Sequence, residues 1–320
     1  MRFRSLGASG LKVSQIGLGC NNFGLRMELE DSRAVIHKAL DLGITMFDTA
    51  DVYGHKGGSE TALGRYLGER RKDIVIASKF GNPMDAAGTL RGASRQYIMK
   101  AVDASLKRLN TDWIDVYQLH KPDPGTPVEE TVRALDDLVR QGKIRYYGCS
   151  GAQAWQLVEM HWTAKHHNLN RLVSGEMEYS LLHRDPEREH VPAMLAHGIG
   201  LLPYYPLASG FLTGKYKRGD AMPAGGRLTR FQRYSDRFMT DTNWTIIENL
   251  EAFGKVRGHS LLDVAIAWLA AQPAVSSIIA GATKAEQVEL NVKAGAWELS
   301  PQDLREIDRI TGHDESSDSD

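Results

Sequence analysis

The sequence predicts an α/β chain folded as a (β/α)8 barrel, with an N-terminal β-hairpin cap and a long inserted loop before the last strand. Three observations predict it. Eight short apolar runs of strand type alternate with amphipathic helical stretches. The 320 residues slightly exceed the roughly 250 of a typical barrel, leaving room for insertions. Four of the eight runs end in conspicuous polar residues, where a barrel carries its active face. Short strands joined by helices imply parallel pairing, because a parallel connection needs a crossover. Eight such units imply closure.

Taken in order, Phe3 to Val13 carries Gly7 and Ser9-Gly10 between short apolar runs and reads as a hairpin lying over one barrel end. The strand runs are then 16–19, 44–49, 74–79, 114–120, 144–150, 172–177, 200–205 and 277–280. Asp31 and Ser94 each precede an apolar stripe at helical spacing and are expected to cap helices. Thr126-Pro127-Val128-Glu129 combines a capping box with proline at the first helical position. The alternation breaks between Tyr205 and Ser277, where a Gly-rich basic segment from Ser209 to Phe238 precedes two helical stretches, 244–257 and 261–271. A long insertion after a barrel strand serves a site, since the loops at strand C-termini build the active face. A single barrel domain is expected over residues 1–313, with Asp314 to Asp320 a disordered acidic tail.

Composition narrows the function. A chain with 42% hydrophobic and 25% charged residues buries a substantial core. A formal net charge of −1 argues against nucleic acid or an acidic membrane as partner. Cys20 and Cys149 are too few for a disulfide framework, and no Cys/His spacing indicates a metal site. There is no secretory signal pattern and no run of about 18 apolar residues. A cytoplasmic enzyme acting on a small molecule is the expectation.

The polar strand ends carry the chemistry: Asp48 to Tyr53 after the second run, Lys79 in the third, His120 closing the fourth and Ser150 closing the fifth. A tyrosine is a poor acid at neutral pH, but a neighbouring ammonium stabilises its phenolate and lowers its pKa. Tyr53 with Lys79 is thus a tunable proton donor, with Asp48 holding the lysine charged and His120 positioning a carbonyl or assisting the proton transfer. Donating a proton to a carbonyl requires a hydride source. No side chain supplies one, so a nicotinamide cofactor is implied. A metal-dependent hydrolase using Asp48, Asp51 and His120 would need further ligands and no lysine among them.

The strings GITMFDTADVYG, GGSETALG, ASKFG, YQLHKPD, RYYGCS, EMEYSLL, PYYPLASGFLTGKY and AGATKAEQVELN, in that order, resemble the aldo-keto reductase family over essentially the whole chain, within a bacterial branch similar to the potassium-channel β-subunit group. The resemblance implies NADPH, with NADH less favoured, and interconversion of an aldehyde or ketone, a sugar-like one included, with its alcohol. It implies Tyr53 as general acid, Lys79 and Asp48 as its tuning pair, and His120 as the residue that orients the substrate. For the cofactor it implies that Tyr204 stacks on the nicotinamide, that Ser150 and Glu176 meet its carboxamide, and that Pro206, Leu207, Ser209, Gly210 and Lys215 cross the pyrophosphate. Gly281, Thr283, Lys284, Gln287 and Asn291 would meet the adenosine end, where a helix N-terminus suits a phosphate. A second reading is an NADPH-binding regulatory or redox-sensing subunit with little turnover.

Three positions depart from the family pattern. Glu176 stands in place of a common glutamine, Gly151 in place of a frequent asparagine, and Gly281 in place of a basic residue. An ionised Glu176 would favour the cationic, oxidised nicotinamide. For the substrate pocket the loops offer Asn21, Asn22, Phe23, His55, Lys56, Pro83, Met84 and the segment from Phe231 to Phe238.

Overall fold

The computed structural model describes residues 1–313; the tail expected at 314–320 lies outside the described residues. Strands β1 (Phe3–Ser5) and β2 (Lys12–Ser14) pair antiparallel as a hairpin. Eight parallel strands follow, β3 (Ile16–Gly19), β4 (Met46–Asp48), β5 (Val75–Phe80), β6 (Ile114–Leu119), β7 (Ile144–Ser150), β8 (Ser174–Glu178), β9 (Gly200–Tyr204) and β10 (Ile278–Gly281). They run β10-β3-β4-β5-β6-β7-β8-β9. The gap between β9 and β10 is bridged just before β10, where Leu201 donates to the Ala274 carbonyl at 2.8 Å and accepts from the Ser276 amide at 2.9 Å. The sheet therefore forms a nearly closed barrel.

Helices α1 (Leu29–Asp41), α2 (Tyr53–Tyr66), α3 (Arg95–Leu109), α4 (Val128–Arg140), α5 (Ala154–His166) and α6 (His190–His197) form the crossovers. The insertion carries α7 (Arg227–Arg230), α8 (Gln232–Phe238), α9 (Asp241–Val256) and α10 (Leu261–Ala271); α11 (Ala285–Ala294) and α12 (Pro301–Thr311) follow β10. Most crossover helices bury one stripe, as α4 does with Val132, Leu135 and Leu138. Helix α10 is apolar on nearly every side, and its residues from Val264 to Ala270 are all buried. Among the described residues no helix is long and apolar enough to cross a membrane.

Capping follows the sequence in part. Ser94 caps α3 by accepting from the Tyr97 amide. Helix α1 instead begins at Leu29, before Asp31, which becomes a first-turn acid facing the positive end of the helix dipole. Thr126 does not cap α4, because its hydroxyl donates to Asp123 at 2.8 Å and Pro127 itself occupies the cap position.

Two apolar cores result. The larger lies between the outside of the barrel and the helices. The smaller fills the lower interior of the barrel with Met46, Val75, Ala77, Val116, Leu202 and Ile279, and is closed from below by Leu6 and Val13 of the hairpin. Above that layer the barrel interior turns polar, and the candidate site begins there.

Candidate active site

Past Asp48 the chain stays bonded to β5, with the Thr49 amide on the Ala77 carbonyl and the Asp51 amide on the Lys79 carbonyl. It then makes a left-handed turn directly after Tyr53. Gly54, His55, Lys56 and Gly57 all have positive φ, a conformation that costs roughly 1–2 kcal/mol for each residue with a side chain. The glycines are required by close approach: a Cβ at Gly54 would lie 2.3 Å from the Phe23 carbonyl oxygen, and one at Gly57 would lie 2.4 Å from Cδ of Arg108. A tight, over-determined turn thus fixes the backbone that carries Tyr53.

Beneath Tyr53 lies a buried ionic cluster. The Lys79 ammonium is fully buried and donates to Asp48 Oδ1 at 2.5 Å and to the Thr49 carbonyl at 3.1 Å. It also meets Glu176 Oε2 at 3.2 Å, so one cation serves two carboxylates. Gln118 joins them, its Nε2 donating to Glu176 Oε2 at 2.7 Å while its Oε1 accepts from Ser174 at 3.0 Å. Register explains the meeting, since Lys79 pairs with Gln118 across β5 and β6. Gly148 of β7 leaves the space between them open; a Cβ there would lie 2.2 Å from the Ser174 hydroxyl.

The electrostatics follow from burial and this pairing. Burial alone would lower Lys79, but Asp48 and Glu176 outweigh it and hold the ammonium well above its usual range. Burial, then Glu176, raise Asp48 well above the usual carboxylate range despite Lys79. Tyr53 has its ring centroid 5.2 Å from Nζ of Lys79. Its hydroxyl is raised, not lowered as the sequence suggested: burial dominates, and the help from Lys79 is countered by Asp48 and Glu176. Tyr53 is accordingly a protonated phenol across the physiological range. His120 stands edge-on to it, ring centroids 5.6 Å apart. Burial, then Lys79 and Lys121, push His120 down to about 3, so its imidazole is neutral. Nδ1 of His120 is buried without a hydrogen-bond partner among the described residues.

These groups form the floor of a cavity of about 600 Å³. Asp48, Tyr53 and His120 line it, with Lys79 just behind; so do Ser150, Glu176, Tyr204, Pro206, Leu207, Ser209, Gly210 and Lys215. At its far end come Gly281, Thr283, Gln287 and Asn291. Of the residues singled out for the cofactor, only Lys284 is off the wall, exposed in the cap position of α11. At the start of α11 the Gln287 side chain accepts from the Thr283 amide at 2.8 Å. The loop after β9 holds Tyr205, Ala208 and Ser209 at positive φ, strain of a kind that collects at functional sites.

Of the loop residues proposed for the substrate pocket, Asn21 and Asn22 line the cavity, whereas Phe23 is buried in the outer core. His55, Lys56, Pro83, Met84 and the 231–238 segment do not line it. Arg26, Asn82, Lys121 and Tyr205 do, and the sequence reading missed them. Lys121 had a signal in its place beside His120; Arg26 had none, since a loop of unknown course brings it over the Gly225 carbonyl at 3.3 Å. The basic insertion is also less free than its composition suggests. Lys217, Arg218 and Arg237 pair with Glu251, Glu248 and Glu178, while Lys215 and Arg227 line the cavity.

Comparison with known proteins shows which family the chain resembles. The model of the aldo/keto reductase family matches residues 15–311. A probable voltage-gated potassium channel subunit beta of Arabidopsis thaliana is 38% identical over 92% of this chain and 91% of its own length. An L-glyceraldehyde 3-phosphate reductase of Escherichia coli O157:H7 is 35% identical over 97% of this chain and 92% of its own. An uncharacterized oxidoreductase of Bacillus subtilis, YrpG, is 34% identical over 97% and 96%.

Proposed function

The chain belongs to the aldo/keto reductase family, and from that premise we propose that it is an NADP(H)-dependent oxidoreductase interconverting a short aldehyde or ketone and its alcohol, with Tyr53 as general acid and base. The observation that carries the reading is the buried Lys79–Asp48 pair beneath Tyr53 and His120, at the floor of a cavity that runs on to the start of α11.

The residues present fit an extended dinucleotide. Glu176 and Ser150 offer polar atoms beside the reacting groups, Tyr204 an aromatic face, and the strained 205–210 loop with Lys215 suits a pyrophosphate. Gln287 and Asn291, one helical turn apart on α11, close the far end. When bound, the nicotinamide supplies or accepts the hydride. The chain's own groups handle the proton and the carbonyl. Neutral His120 orients the carbonyl oxygen by donating a hydrogen bond, and Tyr53 delivers its proton to that oxygen as negative charge develops there. The buried Lys79 ammonium then stabilises the phenolate left behind, and Asp48 keeps that ammonium charged.

Lys121, beside His120 on the cavity wall, favours a substrate bearing an anionic group, and a phosphorylated glyceraldehyde of the kind named for the Escherichia coli relative is the first to test. Loss of NADPH absorbance with such aldehydes should be fast in wild type. In Tyr53→Phe it should fall by about 10²–10⁴ while NADPH binding, followed by fluorescence titration, is retained. Normal turnover in the mutant would remove Tyr53 as proton donor. Tight NADPH binding without turnover in wild type would favour the regulatory reading that the Arabidopsis relative's name suggests.

A further inference from the structure

Beside the reacting groups the protein buries one more negative charge than it neutralises. Lys79 is the one cation within ion-pair distance of Asp48 and Glu176 among the described residues, and both carboxylates are almost wholly removed from water. The other groups on this floor add no positive charge. Tyr53 is a phenol, Gln118 and Ser174 are neutral, and His120 is an uncharged imidazole. Lys121 is exposed and pairs with neither carboxylate among the described residues. A buried cluster of two carboxylates and one ammonium has two ways to avoid an uncompensated charge: the carboxylate pair can retain a proton, or a cation can dock against it.

We propose that the Asp48–Glu176 pair holds one proton in the free protein and surrenders it to solvent when the oxidised, cationic nicotinamide binds, so that Glu176 makes the site a selector for the oxidised cofactor. The inference rests on the reading of the cavity as a nicotinamide dinucleotide site. The balance is a simple exchange. The carboxyl O–H bond breaks, the proton passes to buffer, and the positive charge of the ring takes its place against the carboxylates. The reduced ring is neutral, brings no such charge, and leaves the proton where it was. The pull of burial and of Glu176 on Asp48 runs in the direction this requires.

The test measures proton release directly. NADP⁺ and NADPH are titrated calorimetrically into the whole protein near pH 7, in two buffers of different ionisation enthalpy. The difference in apparent binding enthalpy between buffers counts the protons. The expected result is close to one proton released with NADP⁺ and close to none with NADPH. Glu176→Gln should abolish the release and shift the ratio of the two dissociation constants toward NADPH by about tenfold, the weight of one partly screened charge contact. Equal proton counts for the two forms in wild type overturn the proposal without any variant, and so does an unchanged ratio in Glu176→Gln. Those results would leave the dinucleotide site intact. Failure of both forms to bind would remove the site itself, and the proposal with it.

Discussion

The lower half of the barrel interior and the upper half are built from the same strands but opposite chemistry. Met46, Val75, Ala77 and Val116 fill the lower half, and the hairpin residues Leu6 and Val13 seal it. A few residues further along, those strands present Asp48, Lys79 and Gln118, which meet Glu176 of β8, all buried and linked by short polar contacts. Burial is nearly complete in both halves, yet it stabilises only one. In the lower half apolar area leaves water at a gain of roughly 25 cal/mol per Å². In the upper half charges leave water at a cost of several kcal/mol per ion, recovered only in part by their pairing. The strands below therefore anchor a layer above that is there for chemistry.

Breaking the upper layer should show the largest effect. Lys79→Met removes the cation that the buried Asp48–Glu176 pair shares. Turnover should fall by about 10³ or more, and stability by roughly 3–5 kcal/mol at neutral pH. The stability loss should shrink on acidification, since buried carboxyls no longer held ionised by the ammonium take up protons in the folded chain at a higher pH than in the unfolded chain. Thermal unfolding at pH 5 and pH 8 reads this out, and a loss equal at both would mean that the carboxylates were never left charged.

Breaking the lower layer should separate stability from activity. Leu6→Ala leaves a cavity where the hairpin seals the barrel and should cost about 2–4 kcal/mol. Activity per folded molecule at low temperature should stay near wild type, because the core cluster that Leu6 joins contains no residue of the ionic cluster. A large fall in kcat with unchanged denaturant midpoint would show that the two halves are coupled and that the contrast drawn between them is wrong.

The contrast also explains what was legible in the sequence. Strand and helix alternation gave the barrel, because apolar periodicity records which side of each element is buried. The polar ends of four strands stood out against that periodicity and marked Asp48, Tyr53, Lys79 and His120. Contacts between strand ends were less legible. That Glu176 shares Lys79 with Asp48 depends on the register of β5 to β8 and on the space left by Gly148, and no local pattern encodes either. Loop courses were least legible, which is why Arg26 and Asn82 were missed and Pro83, Met84 and the 231–238 segment were misplaced on the cavity. The raised Tyr53 hydroxyl belongs to the same class, since its direction depends on summing burial with three charges.

The smallest effect tests a buried acid outside the ionic cluster. Asp51 is buried with neither carboxylate oxygen bonded. Its neighbour Glu60 is already committed to Arg108 at 2.7 Å and to Ser78 at 2.5 Å. Burial and the Glu60 charge raise Asp51 from the ordinary carboxylate range to about 8. The folded protein thus holds a proton on Asp51 that the unfolded chain releases near pH 4. The stability this contributes is complete below that pH and is lost as pH rises toward 8. Asp51→Asn keeps the shape and removes the titration. It should match wild type within about 1 kcal/mol at pH 5 and exceed it by roughly 1–3 kcal/mol at pH 9. Denaturant melts at the two pH values measure the difference. A constant offset would mean that Asp51 is ionised throughout and has a bonding partner, most simply water, that satisfies its oxygens.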